Sequence, residues 1–88
     1  MTLSLQAEER PAKKRVAPVY PELAKKMHIS GAVRLELSVD SEGQVQDVKV
    51  VQGHALLRVA AVTAAKQWVF TKASVKSVEI IEVKFHQE

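Results

Sequence analysis

The sequence has no cysteine. No disulfide can staple the chain, and no thiolate is there to bind a metal or attack a substrate. Aromatic residues are few: one Trp, one Tyr and two Phe. No stretch approaches the roughly 20 apolar residues of a membrane span. The opening MTLSLQAEER lacks the basic start and long apolar run of a signal peptide. No GxGxxG, Walker or nucleophile-elbow pattern occurs, so nothing points to a nucleotide, a cofactor or an activated serine. His28, His54 and His86 sit in no spacing that suggests a zinc or iron site.

What is present is an ordinary globular composition, 47% apolar and 26% charged, in 88 residues. That length holds a single domain with a modest core. It reads either as a soluble, unexported protein or as a soluble piece of a longer one. The net charge is +3. Most of the excess comes from residues 1–15, where Arg10, Lys13, Lys14 and Arg15 face Glu8 and Glu9. The remainder is nearly neutral, which gives no basic groove-lining face for nucleic acid. Residues 1–17, interrupted by Pro11 and followed by Pro18 and Pro21, read as a flexible leader or linker remnant, and residues 18–88 as the folded domain.

Periodicity divides the domain. Pro21 suits the first turn of a short helix, with Glu22 at its positive end and Lys25 and Lys26 at its negative end. Leu23, Ala24 and Met27 are expected to pack on one side, and Gly31 to be the stop shortly after. In residues 32–40, Val33, Leu35, Leu37 and Val39 alternate with polar groups, the period of a half-buried strand. Asp40-Ser41-Glu42-Gly43 is turn chemistry. Residues 44–51 return as a second strand in which Val45 is out of phase, predicting a bulge or strand end near Gln46. From Ala55 to Trp68 the period becomes helical, with Leu57, Ala60, Ala61, Ala64 and Trp68 in one stripe. Trp68 therefore reads as a core anchor rather than a base-stacking platform. Residues 78–85 form a third strand with apolar groups on both faces.

The expected fold is α+β: two layers, with two helices on one face of a three-stranded antiparallel sheet in the order second, first, third. Two edges remain open, at residues 44–51 and 78–86, and open edges are either protected or used. Glu36 and Asp40 on the first strand, and Glu79 and Glu82 on opposite faces of the third, are expected to be solvated rather than to form a catalytic pair. An enzyme is not expected.

Three segments in order resemble the TonB C-terminal domain family. They are Pro18, Tyr20-Pro21 and Ala24; then Gly31, Val33, Leu35, Leu37, Val39-Asp40, Gly43 and Val45; then Leu57, Ala60-Ala61, Ala64, Trp68 and Phe70. The sequence departs from the family's habits at Arg58, Val69 and Lys72. The resemblance implies the periplasmic part of an energy transducer anchored in the inner membrane of a Gram-negative cell. Its anchor and Pro-rich spacer would lie outside this sequence. The implied partners are the TonB box, a short N-terminal peptide of an outer-membrane transporter, and an ExbB/ExbD-type motor that pulls through the tether for uptake of iron chelates or vitamins. The peptide would be bound by strand addition.

Joined to the open edge, the resemblance points to Val78, Glu79, Ile80, Ile81, Glu82, Val83, Lys84 and Phe85 as the docking strand, acting mostly through backbone. Val16, Ala17 and Tyr20 would close over the guest's end. The alternatives are a homodimer formed edge to edge, a structural adaptor of the envelope, and, lowest, nucleic-acid binding through the KKR leader.

Overall fold

A computed structural model of the chain describes residues 10–86. In chain order it contains β1 (Ala12–Lys14), α1 (Glu22–Lys26), β2 (Gly31–Val39), β3 (Val45–Gln52), α2 (Ala55–Ala65), β4 (Val69–Phe70) and β5 (Ser77–Phe85). The main sheet runs β3-β2-β5 and is antiparallel throughout, while β1 and β4 form a separate two-stranded ribbon. The three-stranded order is the one the alternation and the hairpin predict.

β2 is the spine. Val33, Leu35, Leu37 and Val39 are almost wholly excluded from solvent, and the residues between them face out. Leu57, Ala61 and Ala65 of α2 join the same core, together with Ala24, Trp68, Phe70, Val83 and Phe85. Small residues on α2 allow close approach to the sheet. The opposite sheet face is polar and carries the cross-strand pair Arg34–Glu82 at 2.9 Å.

α1 differs from expectation in two ways. Only Ala24 is buried; Leu23 and Met27 are more than half exposed. One turn of helix has too narrow a contact to bury three side chains, and Ala24, the smallest, takes the close approach. The stop also comes before Gly31. His28 adopts φ +56°, its N–H donates to Lys25 O at 3.1 Å, and the N–H of Ile29 donates to Ala24 O at 2.9 Å. That is a Schellman ending, which glycine favours because a left-handed residue with a Cβ is strained. His28→Gly is therefore expected to stabilise the fold by about 1 kcal/mol, read as a raised midpoint in urea. An unchanged or lowered midpoint contradicts that account of the cap.

α2 ends at Ala65, before Trp68, and His54 caps its start by accepting Leu56 N–H on Nδ1 at 3.0 Å. Trp68 is still buried, as an anchor beyond the helix end. Two register shifts mark β3. One leaves Gln46 unpaired between Asp47 and Val45, as the phase of Val45 predicts; the other leaves Val51 unpaired between Gln52 and Val50. β5, by contrast, pairs with β2 in unbroken register from Ser77 to Phe85.

The hairpin turn is built around Asp40. Its carboxylate accepts the N–H groups of Glu42 and Gln44 at 3.0 and 2.9 Å and the Gln46 amide at 2.7 Å. These bonds hold its pKa below the ordinary 3.8, the Gln44 N–H contributing most.

Candidate functional site

The site is the outer side of β5 and what lies beside it. Pairing with β2 uses one side of β5; among the described residues no strand pairs with the other. Along an antiparallel edge, alternate residues direct N–H and C=O outward, so a regular strand offers an evenly spaced row of donors and acceptors. Side chains divide by parity. Val78, Ile80, Glu82 and Lys84 are exposed on the polar sheet face, whereas Glu79, Ile81, Val83 and Phe85 turn toward the core.

Glu79 departs from the solvated position expected of it. It is 7% exposed. It stays satisfied because Ser77 Oγ donates to its Oε2 at 2.7 Å and the Arg10 backbone N–H donates to its Oε1 at 3.3 Å. The apolar pattern of β5, shared between both faces, hid this because no periodicity assigns the inner parity when both parities carry valine and isoleucine.

Residues 10–17 were set apart in the sequence as leader, yet they carry β1 and line the site. Residues 1–9 of that segment lie outside the described residues. β1 pairs with β4 through Ala12↔Phe70 and Lys14↔Val69. The Arg10 guanidinium donates to Thr71 O, to Asp40 O at 3.0 Å and to Ser77 Oγ at 3.2 Å. Thr71 N–H donates to Pro11 O at 3.1 Å. Further on, Trp68 Nε1 donates to Val16 O at 3.1 Å, and the Arg15 guanidinium lies 5.5 Å from the centre of the Trp68 ring. This segment is a strap laid beside β5.

The strap does not consume the edge. Among the described residues, its hydrogen bonds to β5 go to side-chain atoms, Glu79 Oε1 and Ser77 Oγ. Two cavities open between the strap and β5. One, of about 330 Å³, reaches from Arg10 and Arg15 to Ile80 and Ile81, with Trp68 and Phe70 in its lining. The other, of about 620 Å³, runs between Arg15–Pro18 and Glu82–Lys84.

The three positions ahead of α1 singled out in the sequence differ in their surroundings. Val16 is half-buried and held by Trp68; Ala17 is exposed and lines the larger cavity. Tyr20 packs edge-on against Phe85, ring centres 5.5 Å apart, and its hydroxyl donates to Ile29 O. Sequence reasoning missed Arg10, Arg15 and Trp68 as neighbours of the site, and it missed the burial of Glu79. The only local signal was the polar character of residues 10–15, which does not reveal a pairing with residues some 55 positions away.

Comparison with known proteins bears on this geometry. No curated protein matches the chain. A solved structure, "Solution NMR structure of Pseudomonas aeruginosa TonB CTD", is similar with a TM-score of 0.75 and 22% sequence identity, covering 98% of this chain and 94% of that one. At that identity the likeness speaks for the fold. A family model described as "Gram-negative bacterial TonB protein C-terminal" matches residues 16–87, most of the chain, and so the protein belongs to the TonB C-terminal family.

Proposed function

We propose that the open edge of β5 receives the TonB box of an outer-membrane transporter as an added strand. Membership of the family supports a general role in energy transduction in Gram-negative cells, and we take that role to be periplasmic and non-enzymatic. The domain then transmits force to the seated transporter from an inner-membrane motor of the ExbB/ExbD type, for uptake of iron chelates or vitamins. Val16, Ala17 and Tyr20 lie at the end of the guest's path.

The observation that carries the reading is the contrast between the two sheet edges. β3 is broken by two register shifts, whereas β5 keeps nine consecutive residues in register and, among the described residues, has no strand on its outer side. An added strand finds a regular row of donors and acceptors easier to match than a bulged one. Exposed Val78 and Ile80 beside the edge supply side-chain contact for alternate guest residues.

The test is amide exchange with a synthetic TonB-box peptide from a transporter of the same bacterium. With the peptide at about 100 times its Kd, outward amides of β5 are expected to slow by up to about 100-fold. Outward amides of β3 stay as they were. Protection on β3 instead, or none on β5, rejects the assignment. The same open edge could be occupied by a second copy. Light scattering of the peptide-free protein across a concentration series reads that outcome as a rise in mass.

A further inference from the structure

Resting on the docking reading for β5, we infer that the strap, residues 10–17, is a detachable second wall of the guest's trough, so that guest and strap hold each other in place. A strand added to β5 lies about 4.8 Å from it, on the side where the strap already stands. Both cavities between them are lined jointly, one by Arg10, Ala12 and Arg15 with Ile80 and Ile81, the other by Arg15 and Ala17 with Val83. A seated guest is therefore contacted from two sides. Whatever affinity the strap lends the guest, the guest returns to the strap, because coupling between two bound elements is reciprocal.

The strap's own attachment is slight and divided. Its ribbon is two residue pairs with an irregular register. A latch sits at its N-terminal end, where one guanidinium serves the carbonyls of Thr71 and Asp40 and the Ser77 hydroxyl. At the other end Val16 O takes the Trp68 indole N–H. A pull on the chain ahead of Arg10 reaches the latch before it reaches the sheet. Drawing the strap away removes one wall and slackens the grip on the guest; Ala12 and Val16, which pack against the core, leave with it.

Two protons report strap docking alone. The Thr71 amide is bonded to Pro11 O, and the indole N–H of the sole tryptophan to Val16 O. Their exchange is followed by NMR with and without the TonB-box peptide, in the unaltered protein and in Arg10→Ala and Arg10→Lys. Both protons are expected to exchange more slowly when the peptide is bound. In Arg10→Ala they exchange faster without peptide, and peptide Kd rises about fivefold or more. Arg10→Lys, which keeps a single cationic donor, falls between. Unchanged protection of β2 amides in each variant certifies an intact sheet; if Arg10→Ala fails that check, the comparison rests on Arg10→Lys. Faster exchange on adding peptide, or tighter peptide binding by the variants, makes the strap a competitor and overturns the inference. So does protection of β5 with no change at Thr71 and Trp68. Absence of protection along β5 in the unaltered protein is a separate result: it rejects the docking reading itself.

Discussion

Gly43→Ala is expected to cost about 4 kcal/mol or more, enough to leave little folded protein. Gly43 is buried in the hairpin turn at φ +96°, and a Cβ there would stand 1.9 Å from Phe70 O and 2.8 Å from Phe70 C. Those are backbone atoms with no rotamer to escape into. Phe70 is itself fixed, since its N–H donates to Gly43 O at 2.8 Å and it pairs with Ala12 of β1. Relief requires the turn and β4 to separate, which breaks that bond, unseats Phe70 from the core and loosens the strap's footing. A single domain has only about 5–15 kcal/mol to lose. With a urea slope near 1 kcal/mol per molar, the midpoint falls by about 4 M or more, or no folded baseline remains. A midpoint displaced by less than about 1 M shows that the turn yields, and the close approach is then not a constraint.

Leu35→Ala is expected to cost about 3 kcal/mol. Leu35 has no solvent exposure and lies in the central strand, opposite Val50 on one side and Ile81 on the other. Truncation leaves a hole that the flanking strands cannot both collapse into, so the transfer and cavity contributions add. The midpoint of thermal unfolding should fall by about 12–24 °C. Ile80→Ala is the control. Ile80 is 57% exposed on the neighbouring edge strand, so its truncation costs less than about 1 kcal/mol. Equal losses at the two positions contradict the division of β5 and β2 into an inner and an outer face.

Much of this architecture was legible because its elements repeat a short-range pattern. Four alternating apolar residues in β2 define a face without any tertiary knowledge, and Val45 betrays the Gln46 bulge by phase alone. Gly43 marks the turn. The helical stripe of α2 is plain, though the apolar run through Phe70 hides its end at Ala65: Trp68 continues the spacing from outside the helix. The strap was not legible. Ala12–Lys14 and Val69–Phe70 are too short to show a period, and their partnership is a contact across the chain. Arg10 and Glu79 look like ordinary surface charges; their roles come from neighbours that only folding brings near. The candidate site was thus half readable, as an edge without its opposite wall.

The unlike sides of the sheet bear on how these molecules can aggregate. Filament growth by strand stacking needs an acceptor on both flanks of every subunit, so that each newcomer templates the next. Here one flank, β5, is straight, and the other, β3, is kinked twice within eight residues. Copies meeting straight flank to straight flank extinguish both acceptors, and the kinked flanks left outermost make poor templates. Assembly of that kind would halt at two, and the bends in β3 would act as terminators against fibre formation.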